Sequence, residues 1–273
     1  MENMTEKTIE AQSKIKTSPD RVLNFACELG IRLIRNGAEI YRVEESIERV
    51  IKAYDYEKVE VFAIPSFIII NIEVDTKNYT KSIRVRMSSN NLDRLNKMND
   101  LCRKICAEKP DIDTAEKFLR EIIAKPGYST IVSCIGYGFA AFFFTLFFGG
   151  NFFDSLIAFL CGIIVKFSVS YMKNRKSNIF FQNLVAAFLL AIIPVILNQF
   201  LIGVHLDKII IGAIMLLVPG IAIINVMRDM LSGDLLTAIM KFSEVMIVAI
   251  AIAIGIAIPI AGMRIITAFI YAF

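Results

Sequence analysis

Residues 245–260 read VMIVAIAIAIGIAIPI, and no Asp, Glu, Lys or Arg lies between Glu244 and Arg264. A helix of this length and composition can cross a hydrocarbon core of about 30 Å. Similar stretches precede it, and together they predict about five membrane-spanning helices, near 129–149, 152–171, 182–203, 208–224 and 243–263. One such stretch could be a buried helix of a soluble protein, but several in succession favour a membrane domain.

The charged residues divide the chain near residue 127. Of 56 Lys, Arg, Asp and Glu residues, 43 lie in residues 1–127 and 13 in the 146 residues that follow. The lipid bilayer is therefore the predicted solvent of the second part, and water that of the first. The two signs nearly balance, so no nucleic-acid partner is indicated. We expect a flexible N-terminus, a cytoplasmic α+β domain and a transmembrane domain at 1–17, 18–127 and 128–273.

Periodicity predicts the elements of the α+β domain. Apolar residues at helical spacing indicate one helix from Ser18-Pro19-Asp20 to Tyr54. Alternating apolar residues then predict a small antiparallel sheet with strands at 59–64, 67–74 and 82–87 and a turn at 75–78. Two more helices are expected near 90–108 and 113–124.

Several glycines lie inside predicted helices. Gly37 lies within the first helix, where glycine costs about 1 kcal/mol relative to alanine, so we expect close packing there. Gly136, Gly138 and Gly162 lie in the first two apolar stretches. Small residues at such positions more often mark close helix packing than gating.

Basic residues set the predicted orientation. The positive-inside rule places the 172–181 and 225–241 links in the cytoplasm, because they carry Lys173, Arg175, Lys176, Arg228 and Lys241. The α+β domain is then cytoplasmic and the C-terminus outside. His205 and Asp207 are expected in a hydrated outer loop. The amino-terminal MENMTEKTIE has no apolar stretch, so no cleavable signal peptide is expected.

The five cysteines are predicted to be free thiols in a reducing compartment, since they form no dense framework. Cys102 and Cys106 share a helix face and could hold a metal ion, but two buried thiols are the favoured interpretation because the single histidine, His205, is distant. No cofactor is predicted, since the chain has no phosphate loop or dinucleotide fingerprint. Residues 18–127 contain no histidine, which excludes His-based nucleophilic catalysis there, and we expect no enzyme.

A proline-glycine pair interrupts the fourth apolar stretch at Leu217-Val218-Pro219-Gly220. Proline removes a backbone donor, and the carbonyl groups freed at membrane depth need protein, water or a solute as partner. Broken helices of this kind bind solutes in transporters. The alternative is a packing kink, which is common in membrane helices and which the pair alone would favour.

A polar cluster follows this break, formed by Asn225, Arg228, Asp229 and Asp234, and Glu244 opens the next stretch. Arg228 offers a planar fork that suits the carboxylate of an amino acid or organic acid. Asp229, Asp234 or Glu244 could carry a proton where a partly dry setting raises the pKa. The alternative is an ordinary cytoplasmic loop with Arg228 as an anchor and solvated carboxylates, and the two are about even for each residue.

The α+β domain has a motif of its own, NGAEIYRVEESI at 36–47. Glu39 and Arg42 in this motif form either a buried pair or a solvated face. The apolar spacing slightly favours the solvated face.

Three segments together resemble the threonine/serine exporter family. They are NGAEIYRVEESI at 36–47, FAIPSFIII at 62–70, and LVPG at 217–220 with the polar residues that follow to 234. They occur in the family's order and span almost the whole chain. The match is to the amino-terminal half of full-length members, which have a soluble domain and about twice as many membrane helices. The chain resembles a split-type member of a bacterial-type inner or plasma membrane.

The resemblance implies proton-driven export of threonine, serine or related small carboxylates, with dicarboxylates as the cargo of some split relatives. It also implies a second small membrane subunit, or homo-oligomerisation, to complete the transporter. The residues carried over from the family are Gly37, Glu39, Arg42, Pro219, Gly220, Asn225, Arg228, Asp229, Gly233 and Asp234. The alternative function is a non-transporting membrane sensor or scaffold whose cytoplasmic domain recruits a partner.

Overall fold

A computed structural model describes residues 17–86, 91–200 and 203–271, with side chains to residue 268. It divides into two compact units. The α+β unit contains the described residues up to Pro126 together with Asn225–Met240, and the helical unit contains Gly127–Ile224 and the chain from Lys241 onward. The predicted flexible segment 1–17 lies outside the described residues except for Thr17.

The α+β unit has a helical part and a three-stranded sheet. Its elements are α1 (Pro19–Arg35), α2 (Ile40–Ala53), β1 (Val59–Ile64), β2 (Phe67–Val74), β3 (Lys77–Arg84), α3 (Leu92–Glu108) and α4 (Ile112–Ala124). The antiparallel sheet has the order β1-β2-β3. Alternate residues of β2, Ile68, Ile70 and Ile72, are fully buried in the core that also contains the apolar faces of α1 and α2. The predictions for α3, α4, β1 and β2 are confirmed.

The predicted single helix 18–54 is wrong, because α1 ends at Arg35 and α2 begins at Ile40. Gly37 has φ +94°, which a residue with a side chain rarely adopts. The N–H groups of Gly37 and Ala38 donate to the carbonyl oxygens of Ile34 and Leu33 at 3.0 and 3.1 Å. This pattern is a Schellman motif, in which glycine follows the end of a helix. Gly37 is thus required by backbone conformation rather than by packing inside a helix.

The hairpin between β2 and β3 is tighter than predicted. Val74 pairs with Lys77, so the turn contains only Asp75 and Thr76, which both have positive φ. Two such residues form a type I′ turn, whose twist suits an antiparallel pair. Strand β3 therefore begins five residues earlier than the predicted strand at 82–87.

The helical unit carries most of the apolar sequence. Its elements are α5 (Thr130–Phe147), α6 (Phe152–Asn174), α7 (Ile179–Phe200) and α8 (Leu206–Ile214), and it shares α9 (Gly220–Leu231) and α10 (Leu235–Tyr271) with the α+β unit. Within the described residues, four helices are long and apolar enough to cross a membrane, namely α5, α6, α7 and Leu235–Ala268 of α10. This agrees with a polytopic membrane protein.

The fourth predicted span, 208–224, is not one helix. α8 has nine residues, which at 1.5 Å per residue is roughly 13 Å and too short to cross a bilayer. Residues 215–219 form turns, and α9 begins at Gly220. The interruption at Pro219-Gly220 is therefore confirmed, but it separates two short helices instead of bending one. The predicted 225–241 link is also wrong in form, because most of it is helical.

Two glycines allow α5 and α6 to approach each other closely. A Cβ atom on Gly162 would lie 2.5 Å from the carbonyl oxygen of Tyr137, and one on Gly138 would lie 2.7 Å from the ring of Phe159. The packing interpretation is confirmed for these two positions. It is wrong for Gly136, where a Cβ atom would meet nothing within 4 Å.

The Gly162→Ala change should therefore destabilise the helical unit, because the added methyl group meets backbone that cannot rotate away. Overpacking of this kind costs about 1–3 kcal/mol. The measurement is the midpoint of thermal unfolding of the purified protein in detergent. Gly136→Ala is the matched control, and we expect it to unfold like the unchanged protein. Equal midpoints for both variants would contradict the close approach of the two helices.

Candidate functional site

The segment between α1 and α2 contacts α9 within the α+β unit. Asn225 Nδ2 donates to the carbonyl oxygen of Gly37 at 3.4 Å. One turn further along α9, Arg228 Nη1 donates to Glu39 Oε1. Asn225 and Arg228 share one face of α9 because they are three residues apart. Two motifs that are distant in the sequence thus meet at the break that Gly37 permits.

Glu39 is the buried acid of this contact. Its side chain is 8% exposed, and its Oε2 lies 3.2 Å from Nε of Arg42. Burial by itself raises the pKa of Glu39, but hydrogen bonds from Arg228 and Tyr41 and the charges of Arg228 and Arg42 outweigh it, so the pKa lies below its ordinary value. The sequence interpretation of a solvated Glu39 is wrong. Glu39 is not inside a helix but at the N-cap of α2, where the break turns it inward.

Arg228 remains accessible to water while it binds Glu39. Its side chain is 56% exposed. A guanidinium group carries five N–H donors in a fixed plane, and the hydrogen bond to Glu39 is made by Nη1. An arginine oriented by one carboxylate can therefore receive a second carboxylate from solution.

The two aspartates of the predicted cluster lie in different settings. Asp229 is fully buried on α9. Asp234 Oδ1 accepts the N–H of Thr237 at 3.2 Å, which caps the start of α10. Asp234 also lies near enough to Glu44 of α2 for its charge to act on that carboxyl group.

Glu44 is a candidate that the sequence interpretation missed. Burial raises the pKa of Glu44, the charge of Asp234 raises it further, and the hydrogen bond from the N–H of Ala63, 2.7 Å long, opposes both. The signal was present in the spacing, because Glu44 lies four residues after Ile40 and three before Ile47, which are both buried. An acid on the buried stripe of a helix is a candidate for proton binding.

Three residues of the predicted site lie in the helical unit. Pro219 is half-buried in the turns between α8 and α9, Gly220 is exposed at the start of α9, and Glu244 is exposed on α10. The turns are closed by backbone hydrogen bonds, among them Leu217 N–H to Ile214 O at 2.9 Å and Val218 N–H to Ile214 O at 3.1 Å. The residues that the structure brings together are Gly37, Glu39, Arg42, Asn225 and Arg228.

The cysteines are free thiols, as predicted. Burial raises the pKa of Cys102 to about 12 and also raises that of Cys106, so both remain protonated at neutral pH. A metal ion binds the thiolate and not the thiol. Within the described ranges there is no group of three or more His, Cys, Asp and Glu side chains arranged to hold a metal ion.

The Glu39–Arg228 pair should make the packing of α9 dependent on acid. Because the folded pKa of Glu39 lies below its ordinary value of 4.5, its contribution to stability is complete above pH 4.5 and is lost as the pH falls through the lower folded value. Hydrogen exchange of the amides in 225–231, corrected for the intrinsic effect of pH, should accelerate in this acid range.

The Glu39→Gln variant should remove this acid dependence and exchange faster already at neutral pH. Glu45→Gln is the matched control, since it removes an exposed partner of Arg49 on the same helix. Exposed pairs of this kind contribute little, so exchange in α9 should not change. An acid dependence that persists in Glu39→Gln would show that another carboxyl group controls α9.

Comparison with known proteins adds an independent line of evidence. A family model of threonine/serine exporters matches residues 24–263. The chain is also 26% identical over 248 residues to the threonine/serine exporter of Corynebacterium glutamicum, an alignment that covers 88% of this chain and 50% of that protein. The chain thus spans about half the length of this curated relative. No solved structure is significantly similar to it.

Proposed function

The chain belongs to the threonine/serine exporter family, and from this premise we propose that it is a component of a proton-coupled secondary exporter. Its cargo is threonine, serine or a related small carboxylate. The observation that carries the proposal is the half-exposed guanidinium of Arg228, held by the buried carboxylate of Glu39. The solute carboxylate binds the free edge of this guanidinium, and Asn225, on the same face of α9, lies beside it.

Coupling to protons requires an acid that can lose and regain its proton near neutral pH. Asp229, Asp234 and Glu244 are the acids of the sequence-based site, and Glu44 joins them because burial and the charge of Asp234 raise its pKa. Glu39 does not fit this role, since its partners hold it ionised. We assign the proton to Glu44, whose protonated form is favoured by burial and by the charge of Asp234.

The broken segment supplies a fourth membrane crossing in this proposal. If α5, α6 and α7 each cross the bilayer, the chain reaches Gly203 on the side opposite to Pro126. Asn225 belongs to the same compact unit as the residues before Pro126, so the chain must return between 203 and 225. α8, the turns at 215–219 and the start of α9 make this return, and the polar backbone of the turns then lines the solute passage.

This path gives the orientation that the basic residues indicate. The α+β unit and the Lys173–Lys176 segment lie in the cytoplasm, and α10 carries the chain out again, so the C-terminus is outside. The chain spans about half the length of its relative, and we propose that a second small membrane subunit or a second copy of this chain completes the transporter. The membrane is a bacterial-type inner or plasma membrane.

Arg228→Gln should reduce export, and because Glu39 also loses its charged partner, efflux is compared at equal amounts of folded, membrane-inserted protein. A charge-assisted hydrogen bond contributes about 1.5–3 kcal/mol, which corresponds to roughly a 10- to 100-fold loss of apparent affinity. The measurement is efflux of labelled threonine, serine and succinate from vesicles, with and without a pH gradient and a candidate second subunit. Arg103→Gln is the matched control, since Arg103 is an exposed arginine of the same unit that pairs with Asp100.

The two proposed roles differ in their outcome. A scaffold or sensor would move no solute, and its binding of a cytoplasmic partner would be unchanged by Arg228→Gln. If no labelled solute moves under any of these conditions, the exporter assignment is wrong. If solute moves equally in both variants, export stands and Arg228 is not its binding residue.

A further inference from the structure

The helical unit contains a buried carboxylate that has no place in the proposed site. Asp154, at the start of α6, is fully buried. Its Oδ1 accepts the backbone N–H of His205 at 2.9 Å, and its Oδ2 lies 2.9 Å from His205 Nδ1 and accepts the N–H of Asn151 at 2.9 Å. His205 was predicted in a hydrated outer loop. Its side chain is 57% exposed, but one edge of the ring is fixed to a buried acid.

The surroundings hold this pair in place. Asn151 Oδ1 accepts the N–H of Asp154 at 2.8 Å, and its Nδ2 donates to the carbonyl oxygen of Gly203 at 3.4 Å. The 148–151 link and the 203–205 link are thereby joined by side chains. α8 also lies directly against α5, since a Cβ atom on Gly212 would be 2.7 Å from the backbone of Thr145.

The hydrogen bonds determine which ring nitrogen of His205 carries the hydrogen and which can accept a proton. An ionised carboxylate can only accept, so Nδ1 carries the hydrogen and donates to Asp154. In a neutral ring, Nε2 is then the acceptor, and it belongs to a side chain that water can reach. A proton that binds Nε2 converts the ring to an imidazolium beside an ionised acid. The hydrogen bond becomes an ion pair, which strengthens the contact between the two links.

Few other charges act on this ring. α5 and α7 carry no Asp, Glu, Lys or Arg between 130–147 and 179–200, and the next charged residue of α6 after Asp154 is Lys166. On α8, Asp207 and Lys208 pair with each other at 3.5 Å. Arg264 follows the apolar part of α10. Among the residues that the structure describes, Asp154 is therefore the charged side chain that contacts the ring.

We propose that His205 and Asp154 form a proton-binding site at the end of the helical unit opposite to the Lys173–Lys176 segment. The ligand is a proton taken from water at Nε2 and returned to water from the same atom. The assignment rests on the proposed proton-coupled export, in which this end faces the outside and an entering proton meets it first. The site is separate from the acids of the α+β unit.

Because His205 is the single histidine of the chain, the site can be observed directly. Protein labelled with ¹⁵N-histidine and carrying a histidine-free tag gives one imidazole in a nanodisc NMR spectrum. We expect the neutral ring to carry its hydrogen on Nδ1, and to gain the second proton at Nε2 as the pH is lowered. Asp154→Asn should abolish the preference for Nδ1, whereas Asp207→Asn should leave it unchanged. A neutral ring protonated at Nε2 in the unchanged protein would overturn the proposal.

A transport measurement tests whether the proton matters. His205→Gln keeps a donor for Asp154 but cannot bind a proton. The pH gradient still drives export in this variant through the acids of the α+β unit, so it should retain export while the profile of its rate against external pH shifts. An unchanged pH profile in this variant would mean that the pair only fastens the two links, and the proposal would be wrong. If the unchanged protein exports nothing, the proposed function fails, while the NMR result still decides whether His205 and Asp154 bind a proton together.

Discussion

The contact of Glu39 with Arg228 joins side chains that are 189 positions apart in the sequence. A buried carboxylate is costly unless a charged or hydrogen-bonding partner compensates for the water it has lost. Glu39 is nearly inaccessible, so the α+β unit needs Arg228 in order to bury it. Because of this requirement, α9 packs on the segment between α1 and α2. The chain from 127 to 224 therefore leaves the α+β unit and leads back to it. The helix break at Gly37 is the local feature that makes the contact possible.

The interrupted segment before α9 lies where the chain returns to the α+β unit. A chain that returns to the α+β unit through a bilayer would ordinarily do so as one helix, since only helices satisfy their own backbone groups in lipid. Here α8 ends after nine residues and turns occupy 215–219. Such a backbone is stable at membrane depth only against protein or water. The proline and glycine in this segment are thus compatible with a passage.

Most elements of the fold could be predicted because their signals are local. Long apolar runs predicted α5, α7 and the middle of α10, and also α6 although Lys166 interrupts it. The alternation of Ile68, Ile70 and Ile72 predicted β2. Gly37 was misassigned because α1 and α2 bury their apolar residues in one core, so the helical spacing continues across the break. A glycine after Asn36 can indicate the end of a helix. This indication was weaker than the helical spacing of apolar residues, which predicted that the helix continues.

The sequence predicted which residues belong to the candidate site but not which of them contact each other. Asn225 and Arg228 were chosen for their chemistry, while their partners Gly37 and Glu39 depend on a tertiary contact that no local pattern reports. Asp154 and His205 are 51 residues apart, and a single acid at the start of an apolar helix resembles an ordinary cap. Glu44 is different, since its position between Ile40 and Ile47 on the buried stripe was sufficient to identify it.

Two acids of α2 illustrate how one helix can separate two roles. Glu39 is buried and Glu44, five residues further on, is half-buried, yet their pKa values move in opposite directions. Arginines surround Glu39, so it stays ionised and orients Arg228. Glu44 has Asp234 as its charged neighbour, so the proton that it takes up relieves repulsion as well as desolvation. Acids whose environments displace their pKa values in opposite directions are the usual means by which a site divides charge stabilisation from proton transfer. In the proposed exporter, binding an anion at Arg228 and binding a proton at Glu44 are functions of different groups.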